Sequence, residues 1–364
     1  MKRMLFTITL LAAALLAPAQ TTQKLTAGKT NEYGLIYTLP VTVIDVTVEA
    51  EKTVRQPGEF FRYAKKYLGM DPIVEPSVTC RLKSVTITTR GVADNEERYL
   101  VQFKSGSTPF MILSDTDFPL AINTEAVAAA TAALLPQPRE AEPTILETPA
   151  ASQAMTAEML QSTSSAKRAE LAATRIFELR QSRSDIISGS ADNMPSDGQA
   201  MQLALDNLDN QEAALTAMFL GTEQTSTQVA TFTAVPPAGD EKSWQCVIAR
   251  LSALDGIVDA DDLSGDPIRI TVNVTSRGTL PKNEKGEVKR FPKGGLAYRI
   301  PGTADVTASF MGSDVAAKTI DVAQYGVVFG LDPNLFTNKR EPAYATFNPV
   351  TGAIREIGTV TPAQ

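Results

Sequence analysis

The chain has 364 residues, with 34 Lys and Arg against 41 Asp and Glu, a formal charge of −7, and no histidine. The acidic balance argues against a nucleic-acid partner, which asks for a basic face toward phosphates. Without imidazole there is no Ser-His-Asp or Cys-His nucleophile pair and no histidine metal ligand, so any catalysis would fall to carboxylates, lysine, tyrosine or a Ser–Lys pair.

The chain opens on Lys2 and Arg3, runs through an apolar stretch from Leu5 to Leu16, and reaches Ala17-Pro18-Ala19. Positive start, apolar middle and small-residue end predict a secretory signal peptide, residues 1–19, cut after Ala19. The apolar run is too short for a spanning helix, which needs about 20 residues, and no later stretch is long and apolar enough. The expected location is therefore the periplasm or the exterior. The remaining length suggests two or three folded units.

From Tyr33 to Glu49 the β-branched run Val41, Val43, Val46, Val48 predicts a strand bent at Pro40. Pro57 then opens a short helix with Phe60, Ala64 and Tyr67 on one face, and Gly69 can close it. Val78 to Arg90 alternates, with a phase shift at Ser84-Val85 that reads as a bulge. Tyr99–Phe103 and Phe110–Leu113 read as two more strands. Pro136, Pro138, Pro143 and Pro149 mark a linker unable to build a regular element.

Two amphipathic helices follow. The first carries Ala169, Ala172, Ile176, Leu179 and Ile186 on one face and ends at Gly189. The second has a capping box at Ser196 and Gln199, a stripe of Met201, Leu205, Leu208, Leu215 and Phe219, and Gly221 at its end. A short turn between them predicts an antiparallel hairpin. Beyond Thr222 the chain reads as strands at 229–235, 243–251, 268–275, 304–311, 315–322, 327–331, 344–347 and 354–360, with turn residues between them. The fold class expected is α+β, mostly β: two antiparallel β regions, sandwich or partly closed barrel, with the helical hairpin between them. The corresponding boundaries are 20–135 for the first β unit, 136–153 for the linker, 154–221 for the hairpin and 222–364 for the second β unit.

One internal similarity runs through this plan. Gly34-Leu35-Ile36-Tyr37-Thr38-Leu39-Pro40-Val41-Thr42 shares Gly, Leu, Tyr, Pro and Thr at equal offsets with Gly295-Leu296-Ala297-Tyr298-Arg299-Ile300-Pro301-Gly302-Thr303. A duplicated β unit and chance likeness of strand composition are both open readings.

Few motifs point to chemistry. Gly28-Lys29-Thr30 lacks the preceding glycine of a phosphate loop, since position 23 is Gln. Ser164-Ser165-Ala166-Lys167 has Ser–Lys spacing but lacks the S-D-N and K-T-G partners, and helix capping explains the serines. Asp259, Asp261, Asp262 and Asp266 are candidate oxygen ligands for calcium, or simply a solvated turn. Asp115 and Asp117 are candidate carboxylates for glycoside hydrolysis, with no spacing rule to support them. Lys282–Arg290 reads as a solvated hairpin tip, and Arg175, Arg180 and Arg183 as partners of helix-surface acids such as Glu178. Cys80 and Cys246 each lie in phase with apolar neighbours, so two buried thiols or one disulfide are both open. No cofactor is expected.

The run Arg175-Ile176-Phe177-Glu178-Leu179-Arg180, then Ile187-Ser188-Gly189, Met194-Pro195-Ser196-Asp197-Gly198 and Phe219-Leu220-Gly221, resembles an uncharacterised family of exported Bacteroidetes proteins, domain of unknown function 4831. Tyr37 to Pro40, Val258 to Gly265 and Tyr298 to Pro301 add to the resemblance. It implies a secreted or periplasmic protein and carries no activity or catalytic residue. The functional expectation is a non-enzymatic envelope protein that binds or scaffolds, its partner an envelope protein or a glycan. The alternatives are a carboxylate-dependent glycan hydrolase and a calcium-stabilised adhesion module.

Overall fold

The computed structural model describes residues 20–24, 34–103, 110–127, 135–192, 198–336 and 342–359. The expected signal peptide at residues 1–19, Gly28-Lys29-Thr30 and Ser196 lie outside the described residues.

Strand β1 (Gln20–Lys24) pairs with the far end of β3 (Ser77–Phe103), which pairs along its length with β2 (Leu35–Gln56). The other edge of β2 takes β6 (Thr222–Ala234), giving a sheet ordered β1-β3-β2-β6. A second sheet, ordered β11-β10-β9-β7-β8, is built from β7 (Ser243–Ser252), β8 (Gly256–Val258), β9 (Asp266–Ser276), β10 (Leu296–Phe310) and β11 (Ser313–Leu331). The pairings in both sheets are antiparallel. The fold is α+β and mostly β.

Alternation dictates how the sheets meet. Every second residue of a strand faces the same side. Ile44, Val46 and Val48 of β2 therefore share one buried face, with Val85 and Ile87 of β3. Ile268, Ile270 and Val272 of β9 and Ala304, Val306 and Ala308 of β10 form the opposing face. Each buried Val or Ile side chain contributes about 1.5–3 kcal/mol, so this layer is a principal stabilising element of the sandwich. Two side chains close its flanks. The Lys318 Nζ on β11 donates to the Ile87 carbonyl on β3 at 3.1 Å. On the other flank the Gln228 Oε1 of β6 accepts from the Ile257 N–H of β8 at 3.1 Å.

The internal similarity in the sequence has a structural counterpart. In the β2–β3 ladder, Thr38 pairs with Arg98 and Pro40 with Ala93, so β3 bulges over 94–97. In the β10–β11 ladder, Ile300 pairs with Val327 and Gly302 with Val322, so β11 bulges over 323–326. Each ladder is followed by a small hairpin: β4 (Met111–Leu113) with β5 (Pro119–Ile122), and β12 (Ala343–Phe347) with β13 (Ile354–Thr359). These four strands form a third sheet ordered β13-β12-β5-β4. The hairpin turns match in detail. Ser114 Oγ accepts from the Thr116 N–H, and Asn348 Oδ1 from the Val350 N–H. Asp117 (φ 61°) offers its carbonyl to the Thr38 N–H, and Gly352 (φ 71°) offers its own to the Arg299 N–H, both at 3.0 Å. Thr38 and Arg299 hold the same place in the two sequence copies. Over their described residues, the segments 35–122 and 296–359 share one backbone plan.

The expected bulge near Ser84 is found at Lys83, which β2 skips between Glu49 and Ala50. The segments 78–90 and 99–103, and likewise 315–322 and 327–331, are single strands; the breaks in their patterns are the two four-residue bulges.

The helices pack as a separate layer. A turn of 3-10 helix, Phe61–Tyr63, leads into α1 (Ala64–Tyr67), with Phe60 and Ala64 buried and Gly69 at φ 70° after its end. The expected linker 136–153 is not irregular throughout. Arg139 forms a backbone bridge with Thr227 on the edge of β6, Glu147 accepts from the Thr144 N–H, and Pro149 starts α2 (Pro149–Ala154). Proline costs nothing at a first helical position, which is why a proline-marked segment still builds a helix. After α3 (Ala157–Gln161) come α4 (Ser165–Ser188) and α5 (Gln199–Leu220). They form the predicted antiparallel hairpin, buried through Ala169, Ala172, Ile176 and Leu179 on one side and Leu215 and Phe219 on the other. Gly189 caps α4 in the left-handed conformation, as expected. The N-cap of α5 is Gly198, with no side-chain cap bond. The hairpin is tied to the first sheet where Phe60 N–H donates to Met218 O and Ile73 N–H to Leu220 O. The boundary drawn at 222 does not separate sheets: β6 follows α5 and completes the first sheet by pairing with β2.

Candidate functional site

Two regions gather the polar chemistry, and they do different things. The first is the junction of the two β units. Arg299 on β10, 7% exposed, reaches across to Asp94 in the first bulge, and its Nη1 donates to the Ala323 carbonyl. Among the described residues its Nε has no partner. Reciprocally, Gln324 in the second bulge reaches β2: its Oε1 accepts from the Thr42 N–H at 3.1 Å, and its Nε2 donates to the carbonyls of Thr42 and Pro236. Each bulge thus grips the other unit's central strand. Beside Asp94, the Tyr99 hydroxyl donates to Glu97, which also pairs with Lys24. Burial first, and then the Glu97 carboxylate, push the Tyr99 phenol well above its ordinary range. Tyr37 stacks on Tyr99 with ring centroids 5.6 Å apart, and its buried hydroxyl bridges the N–H and carbonyl of Ala297. The cluster is internally engaged, and its geometry is that of a structural lock.

The second region lies at the end of the sandwich where β9 begins and β10 ends. A groove of about 550 Å³ is lined by Cys80, Leu82, Leu251, Phe310, Met311 and Val315, with Arg81, Ala253, Asp266 and Ser313 completing the wall. Around it stand large apolar side chains in solvent: Leu254 is 63% exposed, Leu263 80% and Met311 74%. The surrounding backbone is well fixed. Met311 holds φ 49° in the β10–β11 turn. Arg250 lies behind the 259–265 loop and donates to the carbonyls of Ala260 (2.8 Å) and Gly265 (3.0 Å). Gly265 sits so close to Leu251 and Ser252 that a Cβ would meet their backbone at 2.7 Å.

This end draws together most of the residues singled out from the sequence. Asp266 and Cys80 line the same groove, and Asp259, Asp261 and Asp262 belong to the loop beside it. These acids do not converge as ligands. All are exposed, the Asp262 carboxylate accepts from the Ser264 N–H and is thereby held below the ordinary carboxylate range, and the cation at the loop's centre is Arg250. Among the described residues no group of three or more acids or cysteines could hold a metal ion. Cys80 and Cys246 are free thiols, so the disulfide reading is corrected. Cys80 belongs to β3 at the groove, its N–H held by the Ala253 carbonyl, while Cys246 of β7 packs against the sandwich core. Burial raises both thiols above their ordinary range.

The remaining candidates resolve locally. Ser164 Oγ accepts from the Lys167 N–H as an N-cap, and Lys167 pairs with Glu170. Asp117 serves the hairpin turn through its carbonyl. Arg175 pairs with Glu178, Arg180 with Glu212, and Arg183 with Asp209 and Glu212. Lys282–Arg290 is a hairpin tip, with Lys282 bridged to Val288 and the Asn283 side chain accepting from the N–H groups of Lys285 and Glu287. The groove itself had no single-residue signal in the sequence. Its apolar members read as ordinary strand ends, and only the unbalanced run of aspartates marked the neighbourhood.

No curated protein and no solved structure matches the chain. A family described as a domain of unknown function (DUF4831) matches residues 33–355, a span that takes in the helical hairpin and both β units up to the start of β13, and the chain belongs to that family.

Proposed function

We propose that the protein is exported and acts as a non-catalytic binding or scaffolding component of the cell envelope, with the groove at the sandwich end as its contact surface. The observation that carries this reading is an apolar groove on a braced backbone, with exposed Met311 in its wall and exposed Leu254 and Leu263 in the chain segments that lead from Ala253 and into Asp266 of that wall. Exposed apolar side chains gathered around a concavity mark contact sites more often than scattered single residues do. The absence of histidine removes the commonest general bases. The leader-like segment supports export, and among the described residues no helix is long and apolar enough to cross a membrane. Several carboxylates that could serve a hydrolase are engaged by cations: Asp45 by Arg90, Glu49 by Lys83, Asp94 by Arg299 and Glu212 by Arg180.

The test is chemical crosslinking in intact cells, followed by purification from envelope fractions. The wild-type chain is expected to carry a crosslinked product that the double variant L263S/M311S loses while its melting temperature stays within a few degrees. An unchanged product, or recovery of the protein from the cytosol alone, overturns the reading.

A further inference from the structure

The groove end is strongly acidic as well as apolar. Asp266 lines it, Asp255, Asp259, Asp261, Asp262 and Asp314 lie in the adjoining turns and loop, and they outnumber the cations there, Arg81 in the wall and Arg250 beside Asp262; among the described residues none of the six forms a salt bridge. Its occupant should therefore present apolar side chains flanked by positive charge.

The same chain carries such a segment. The connection from β9 to β10 projects a finger over residues 280–293 with five basic side chains, Lys282, Lys285, Lys289, Arg290 and Lys293, against Glu284 and Glu287. The bases too are free of ion pairs among the described residues. Val288 is 54% exposed and Phe291 46%. The finger has a defined shape: Lys289 N–H donates to Pro281 O, Asn283 closes the tip, Gly286 holds φ 80°, and Phe291 packs against Phe329 at its base, centroids 6.0 Å apart.

Topology keeps the two apart. Strand β9 enters at Asp266 in the groove wall and leaves at Ser276, 10 residues on. At about 3.3 Å per residue that is roughly 33 Å. The finger starts beyond that far end, and Phe291 and Phe329 lie farther still along the β10–β11 ladder, where Phe329 pairs with Tyr298. The finger cannot fill its own groove.

We infer that the groove receives the basic finger of a second copy of this chain, giving head-to-tail assembly. This rests on the groove being a contact surface, as proposed above. The contact is heterologous, so each bound copy leaves one groove and one finger open, and the assembly extends as a filament or closes as a ring.

The test is sedimentation of the purified chain over rising concentration at low salt. The average mass is expected to rise to at least about twice that of the monomer and to return to monomer near 1 M salt, where the screening length is only about 3 Å. The finger variant K285E/K289E/R290E and the groove variant L263D/M311D should each stay monomeric alone. Mixed in equal amounts they should form a capped dimer that grows no further, because one intact finger and one intact groove remain. Circular dichroism checks that both variants fold. A wild-type chain monomeric at every concentration, or a finger variant that assembles normally, overturns the inference. A monomeric wild type whose crosslinked product still disappears in L263S/M311S would leave the groove a contact surface for another partner and remove only the self-assembly.

Discussion

The two β units share a backbone plan and differ in the chemistry that locks it. In the first, the bulge at 94–97 supplies a carboxylate to a buried guanidinium; in the second, the bulge at 323–326 supplies a neutral amide to backbone groups. The hairpin turns differ in the same spirit, with Asp117 and Gly352 meeting the same demand for a left-handed residue. What the duplicated plan requires is a reach across the junction and a turn carbonyl aimed at the central strand. Which side chain meets each requirement is left open.

The sharpest way to break this comparison is to remove the charged lock. Asp94→Ala leaves Arg299 buried without its counter-charge and should cost about 3 kcal/mol, measured by urea unfolding. Replacing both partners, as in D94L/R299M, should recover much of that loss. The neutral lock should be the weaker one: Gln324→Ala strands the Thr42 N–H and carbonyl and should cost about 2 kcal/mol. If the two locks are independent, D94A/Q324A will show the sum of the two losses; a departure of more than about 0.5 kcal/mol would show that they work as one clamp.

The turns sharpen it next. Gly352→Ala places a methyl at positive φ, 2.9 Å from Pro40 Cδ, and should cost about 2 kcal/mol, whereas Asp117→Gly should change stability by less than about 1 kcal/mol. An equal loss in both would sink the claim that only the second turn is crowded.

A pH titration probes the stacked tyrosines beside the charged lock. Tyr99 and Tyr37 have phenols raised above the ordinary value of 10.0, both primarily by burial. Unfolded tyrosine ionises first, so the stability they confer is intact below pH 10 and is lost as pH rises above it. Melting temperature should fall across that range, and the fall should flatten in Tyr99→Phe. The smallest effect belongs to the thiols: reductant should leave both gel mobility and melting temperature unchanged, and a shift absent in Cys80→Ser would restore the disulfide.

How much of this was legible in the sequence depends on the range of the interaction. Helix ends at Gly189 and Gly221, the bulge near Ser84 and the strand alternation are local, and local patterns exposed them. Each long strand with a wide bulge read as two strands, because residues 94–97 and 323–326 interrupt alternation without ending the strand. The proline-marked segment hid α2 for a related reason: a proline breaks a helix interior and also begins a helix. The Arg299–Asp94 pair spans 205 positions, and no local signal announces it. The groove is assembled from β3, β7, β9, β10 and β11, so its concavity exists only once the sheets have packed.

The Lys318 side chain that reaches from β11 to the Ile87 carbonyl has a consequence for crowded surroundings. On that flank, β11 and residues 77–98 of β3 pair with another strand along one side only among the described residues. Raw strand borders invite neighbouring molecules to add strands and seed fibres. A charged ammonium laid over the border disfavours the addition of a further strand at that point.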